Sequence, residues 1–313
     1  MRILVTGASG WIGSAVVPEL IGAGHQVVGL ARSDDSATAL AAAGAEVCRG
    51  TLDDLDTLRA AAGASDGVIH LAFKHEMAFT GDFAGAAAAD RQAIEAFGEA
   101  LAGSDRPFVI ASGTLGLAPG RVASERDGGP DGDTPPPLIG AGGAHNRLAN
   151  AHLTLSLASR GVRSSVVRLP PTCHGDGDNG FMAFVVRIAR EKGVSGYVGD
   201  GSNRWPAVHR LDAARVFRLG LETAPAGSVL HAVAEEGVPI REVAEVIGRH
   251  LELPVASIAP EDAAEHFGFL GGFLGADSPA SSELTRELLG WEPTYPGLIA
   301  DLDEGSYFRE PSA

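Results

Sequence analysis

Short apolar runs alternate with amphipathic stretches through the first half of the chain. Residues 3–6, 26–31, 45–50, 67–72, 108–112 and 162–169 are short runs rich in β-branched and other apolar residues, and they predict six strands. Between them Ala15-Val16-Val17 with Leu20-Ile21, residues 91–101 and residues 144–160 read as helices, the last closed by Gly161 in a helix-stop position. Strand, helix and strand complete within about thirty residues predict a parallel pair, and the repeat predicts an α/β fold with a doubly wound parallel sheet. Residues 116–143 are rich in Gly, Pro and Asp and include Pro135-Pro136-Pro137, so they predict a long loop, placed as a lid over a site.

From Pro171 the alternation breaks down. Residues 175–180 are turn-rich, and residues 181–191 read as an amphipathic helix carrying Phe181, Met182, Phe184 and Val185. Asp212 opens a further helix as a cap, residues 229–233 are a last strand of the sheet, and residues 240–251 another helix. The chain therefore divides into a dinucleotide domain over 1–170, with 206–235 returning to its sheet, and a smaller α/β substrate-binding domain over 171–205 and 236–313.

The first strand breaks into Gly7, Gly10 and Gly13 before a helix begins. Gly7 lets the chain reverse, Gly10 lets backbone approach a pyrophosphate without a Cβ in the way, and Gly13 lets the helix pack closely on the sheet. The helix N-terminus then offers free N–H groups and a partial positive charge to an anion. At the end of the second strand an acid would bind the ribose hydroxyl of NAD, whereas an arginine would pair with the 2′-phosphate of NADP. Arg32 stands there, followed by Ser33, and predicts NADP.

The 313 residues carry a net charge of −16, with no basic cluster, so nucleic acid and anionic membrane surfaces are poor partners. No apolar run approaches the length of about 20 residues that spans a bilayer. The first strand begins at residue 3, which leaves no room for a secretory signal, and two cysteines, Cys48 and Cys173, exclude a disulfide framework. A cytoplasmic protein with a small-molecule substrate and no metal site is expected.

The segment Thr6-Gly7-Ala8-Ser9-Gly10-Trp11-Ile12-Gly13 resembles the extended short-chain dehydrogenase/reductase superfamily, of the NAD-dependent epimerase/dehydratase type. So do His70-Leu71-Ala72, Arg168-Leu169-Pro170, the segment 199–209 that would return to the sheet, and Leu289-Gly290-Trp291-Glu292-Pro293. The resemblance implies cofactor contacts at Thr6, Gly7, Ser9, Gly10, Trp11, Ile12 and Gly13, and at Arg32 and Ser33. Thr51 stands where the family has an adenine-binding acid, which moves that contact to Leu52 or Asp53. Further contacts are implied at Leu71, Ala72, Phe73 and Lys74, and at Leu169 and Pro170. A homodimer through the helices after the fourth and fifth strands is the family analogy.

The chemistry departs from the family. Its Tyr-x-x-x-Lys pair, in which the lysine lowers the phenol pKa, would fall on Gly142 and Asn146. The chain's three tyrosines are Tyr197, Tyr295 and Tyr307, none on that helix. The hydroxyl pair after the fifth strand is Ser112-Gly113-Thr114, with glycine in the usual catalytic place. Ser112 and Thr114 can still bind a carbonyl. His145 is a candidate acid, Arg147 a replacement for the lysine, and His174 a group facing the nicotinamide. Phe181, Met182, Trp205 and His209 complete an expected substrate lining that suits a small aromatic or alicyclic compound. The resemblance implies an NADPH-dependent reductase of a small carbonyl, imine or activated alkene. The alternatives are a non-catalytic NADP-binding sensor, or a non-redox isomerase or dehydratase that retains NADP.

Overall fold

The computed structural model describes residues 1–129 and 142–309. Its strands are β1 (Arg2–Thr6), β2 (Gln26–Ala31), β3 (Glu46–Arg49), β4 (Gly67–His70), β5 (Pro107–Gly113), β6 (Arg163–Leu169), β7 (Thr172–His174), β8 (Ser195–Val198), β9 (Arg204–His209), β10 (Ser228–His231), β11 (Glu235–Pro239) and β12 (Val255–Ile258). The helices that concern the site are α1 (Gly13–Gly22), α2 (Asp34–Ala42), α3 (Leu55–Gly63), α4 (His75–Phe79), α5 (Phe83–Leu101), α6 (Gly142–Ser156), α7 (Phe181–Lys192), α8 (Arg210–Thr223) and α9 (Ile240–Leu251).

Seven strands form one parallel sheet in the order β10-β6-β5-β4-β1-β2-β3. Helices cover both faces, which is why Ile3, Leu4 and Val5 are all wholly buried and the strands read as unbroken apolar runs. One core joins β1, α1 and α8, and the other joins β4, β5, α3 and α5. The order reverses between β1 and β4, so the ligand crevice of such a sheet opens at the C-terminal ends of these two strands.

The returning segment is shorter than the sequence suggests. β9 does not join the large sheet; it pairs with β7 in parallel and with β11 antiparallel in a separate three-stranded sheet. Only α8, packed against α1, and β10 return. The signature around Trp291 serves this return: the indole is wholly buried and donates to the Asp212 carbonyl at the start of α8. A third core, with Met182, Trp205, Ile240 and Leu302, belongs to the second domain.

The expected lid is in part tied down. Arg168, 1% exposed, donates from β6 to the carbonyls of Asp127 (2.7 Å) and Gly128 (3.1 Å). Glu125 accepts from Thr285 Oγ1 at 2.6 Å, and Ala123 bridges to Ala280. Residues 116–129 are therefore anchored to the body by buried polar contacts, and the triple proline lies outside the described residues. Among the described residues no helix is long and apolar enough to cross a membrane.

Candidate active site

The glycine turn is built as its spacing requires. Gly7 has φ +64°, and a Cβ there would lie 2.7 Å from the Ala72 backbone nitrogen, so the turn presses on the segment leaving β4. At Gly13 a Cβ would stand 2.7 Å from Ala8 Cα and closer still to the Gly7 carbonyl oxygen. At Gly10 it would meet only that oxygen, at 3.2 Å, which leaves an open face. Helix α1 has no side-chain cap and no acid in its first turn, so its leading N–H groups have no anionic side chain to satisfy them. A dinucleotide diphosphate fits this donor set.

The side chains of the turn look elsewhere. The Trp11 indole donates to the Cys173 carbonyl at 2.9 Å, with the Arg210 guanidinium 4.4 Å over its ring, so its side chain ties the turn to β7. Ile12 packs on the core, while Ser9 is exposed. Thr6 turns its hydroxyl inward to His70 Nδ1, 2.6 Å away.

At the adenosine end, Arg32 is 71% exposed and pairs with Glu76 at 3.1 Å. The Ser33 hydroxyl accepts from Ser36 N and caps α2, which commits that side chain to the helix. Thr51 is held by Asp54, Leu52 is buried, and Asp53 meets Lys74 at 2.7 Å. The stretch after β4 thus crosses the whole crevice: Leu71 and Ala72 run under Gly7, Lys74 reaches Asp53, and Glu76 reaches Arg32.

A buried polar chain leads from the turn toward α6. The Ala72 N–H donates to Thr6 Oγ1, His70 bridges Thr6 and Asp90 (3.1 Å), and Asn150 Nδ2 donates to Asp90 at 2.7 Å. Burial pushes the Asp90 carboxyl up, but the His70 hydrogen bond and charge, with Arg147 and Asn150, outweigh it and hold the acid below its usual range. Arg147 is half-buried, donates to the Ala111 carbonyl at 2.9 Å and lies 4.4 Å over the Phe73 ring. Burial lowers its pKa, against the pull of Asp90. Burial and then Arg147 also lower that of His75. Ser112 and Thr114 flank the same corner, both buried, and Thr114 Oγ1 has no hydrogen-bond partner among the described residues. Leu169 pairs with Gly113 and accepts the Thr114 N–H at 3.0 Å; Pro170 is buried beside it.

Residues 3–114 match the model of the NAD dependent epimerase/dehydratase family. An uncharacterized protein of Schizosaccharomyces pombe is 48% identical over 98% of this chain and 100% of its own length. A sterol-4-alpha-carboxylate 3-dehydrogenase, decarboxylating, of Dictyostelium discoideum is 26% identical over 77% of this chain and 74% of its own. In fold, the chain is similar to a dTDP-glucose 4,6-dehydratase from Streptomyces venezuelae solved with NAD, with TM-score 0.77, 18% identity, and 98% and 96% of the two chains covered. The chain belongs to one family with the Schizosaccharomyces pombe protein, and residues 3–114 carry the pattern of the NAD dependent epimerase/dehydratase family.

The active-site corner departs from the Tyr-x-x-x-Lys pattern that the resemblance implies. Tyr197 lies under Arg241 at 5.6 Å and Tyr295 stacks on His209. Tyr307 donates to Asp178 at 2.9 Å, and burial together with that acid pushes its phenol up, the reverse of what proton exchange near neutral pH needs. None of the three replaces the missing tyrosine. The side chain of His145 lies outside the described residues. At Gly113 an added Cβ would meet only the Leu169 carbonyl oxygen, at 3.9 Å. Gly113→Ser is therefore expected to fold with a stability within about 0.5 kcal/mol of the parent, checked by urea unfolding; a larger loss would show that the corner has no room for the family's hydroxyl.

Most of the expected substrate lining is packing. Met182 (1% exposed) and Trp205 (0%) are core residues of the second domain, with the Phe181 ring tilted against Trp205 at 5.8 Å between centroids and the Trp205 indole donating to the Ala276 carbonyl. Their apolar character at helical and strand spacing signals that core, and the case for an aromatic or alicyclic substrate loses its basis with them. His174 is wholly buried against Asp301 at 2.8 Å and faces the ring of His209. His209 caps α8 through the Leu211 N–H. Burial, then His174, lowers its pKa. The sequence reading missed Asp90, Asn150 and Glu76. Asp90, an acid directly after a run of four alanines on the apolar face of a helix, was the available signal.

Proposed function

We propose that the protein is an NADP-dependent oxidoreductase that reduces a small carbonyl, imine or activated alkene with NADPH. The observation that carries this reading is Arg147: a fixed cation, held by Ala111 and Phe73 at the end of β5 and balanced by Asp90, beside two buried hydroxyls. The α1 N-terminus with Gly7, Gly10 and Gly13 would hold the diphosphate, Arg32 the 2′-phosphate, Asp53 and Lys74 the adenosine, and Arg147 the nicotinamide ribose. When bound, the cofactor supplies the hydride.

An arginine stays charged throughout the working pH range and cannot pass a proton as the tyrosine–lysine pair does. Its contribution is orientation and stabilisation of negative charge developing on the substrate oxygen or nitrogen. Thr114 and Ser112 would donate to the same atom, and the proton comes from His145 or from water. The chain Thr6–His70–Asp90–Asn150 keeps the corner rigid, because each member is oriented by the next.

Oxidation of NADPH, with NADH as control, across small quinones, ketones, imines and enones tests this reading. Turnover favouring NADPH is expected, and Arg147→Ala should lower kcat/KM by roughly 100-fold, the scale of losing one preorganised donor. Partial recovery in Arg147→Lys would tie the loss to charge. One feature favours a sensor or a non-redox isomerase or dehydratase: α6 opens with neither tyrosine nor lysine. Tight NADPH binding with no turnover on the panel would move the assignment there.

A further inference from the structure

Glu76 holds Arg32, the side chain proposed above to take the 2′-phosphate. It is 83% exposed, stands on the short helix α4, and reaches across the crevice to the Arg32 guanidinium at 3.1 Å. Its position is imposed by the segment that carries it, which is pinned under Gly7 at Ala72 and clasped to Asp53 through Lys74. A second arginine, Arg49, stands next to Arg32 because β2 and β3 pair Ala31 with Arg49, and it is likewise held by an acid, Asp34, at 2.6 Å. The cationic end of the adenosine site is thus already charge-paired. A 2′-phosphate would meet a guanidinium whose Nη2 is already shared with a carboxylate, and it would stand beside that carboxylate's negative charge, whereas a 2′-hydroxyl carries no charge to repel.

We propose that Glu76 is a specificity-determining residue that competes with the 2′-phosphate for Arg32, so that it weakens NADP binding and narrows the margin over NAD. This rests on the assignment of Arg32 as the 2′-phosphate ligand. The competition is mild, because an exposed pair contributes little and an arginine–phosphate contact is stronger and bidentate. The exchange therefore favours the phosphate without being free. A moderate preference for NADP results.

The test is calorimetric titration of the full chain with 2′,5′-ADP and with 5′-AMP, which share the adenosine and 5′-phosphate and differ at the 2′ position. Glu76→Gln is expected to tighten 2′,5′-ADP about five-fold, the factor that loss of one exposed ion pair can return. It should leave 5′-AMP unchanged. Asp35→Asn removes the same charge from an exposed site nearby and should change 2′,5′-ADP binding less than two-fold; equal tightening in both variants would reduce the effect to net charge and overturn the proposal. If the parent prefers 2′,5′-ADP, Arg32→Ala abolishes that preference and Glu76→Gln binds like the parent, the Glu76 proposal falls while the NADP assignment stands. If neither the parent nor Glu76→Gln distinguishes the two ligands, both fall. A preference that appears only in Glu76→Gln would support the competition and overturn the NADP preference of the native protein.

Discussion

Gly13→Ala is expected to abolish binding of NADPH and of 2′,5′-ADP and to destabilise the protein by more than about 3 kcal/mol. The added Cβ would lie 2.7 Å from Ala8 Cα, 2.7 Å from Ala8 C and nearer still to the Gly7 carbonyl oxygen. All three are backbone atoms, so no rotamer relieves the clash and α1 must move off the turn. That movement drags Val16 and Leu20, both fully buried, out of the core they share with β1 and α8. It also displaces the first N–H groups of the helix, on which the diphosphate depends. Gly22→Ala, in the last turn of the same helix, meets nothing within 4 Å and should be neutral or slightly stabilising. Urea unfolding and calorimetry on both variants check the pair. Parent-like binding in Gly13→Ala would show that the dinucleotide is not held by this turn.

Arg168→Met should cost on the order of 3–5 kcal/mol, because the guanidinium is buried and its loss strands the groups it serves. The carbonyls of Asp127 and Gly128 would lose their donor, and the turn over 125–129 would lose its anchor to β6. His231 Nε2 lies 3.3 Å from the same guanidinium, while Nδ1 faces the Ser281 carbonyl at 2.7 Å. Burial, and then the Arg168 charge, push the His231 pKa down from 6.5 to about 4. Because this base is harder to protonate when folded, the unfolded chain binds more protons between those values, and stability rises with pH there. The contribution is fully present above about pH 6.5 and is lost as pH falls toward 4, on the order of 3 kcal/mol. His75 and His209, whose pKa values burial also lowers, act in the same direction. Subtracting the stability profile of His231→Gln from that of the parent isolates the one histidine. A difference that stays flat from pH 4 to 6.5 would show that His231 is not held uncharged by its surroundings. In Arg168→Met the slope should shrink, since one of the two causes is gone.

The strands of the large sheet and the glycine turn could be read from the chain, since both are local consequences of residue type. A strand covered on both faces must be apolar throughout, as Ile3-Leu4-Val5 is, and a turn that presses on its neighbour at Ala72 admits only glycine. The resemblance that returned residues 199–209 to the large sheet misplaced β9; an unbroken buried run fits either sheet, and pairing with β7 and β11 is a choice among partners distant in sequence. Apolar character made Trp205 and Met182 candidates for a substrate wall, because an apolar face does not say whether protein or ligand covers it.

By itself the sequence determined the doubly wound fold, the dinucleotide turn and the absence of tyrosine and lysine at the start of α6, since each depends on residue identity at a position. Only the tertiary structure decided what the charged and polar groups do. Asp90, Arg147 and Glu76 take their partners from strand ends, loops and helices 20 to 74 residues away, and burial and pairing across such distances, rather than spacing along the chain, set the field at the site.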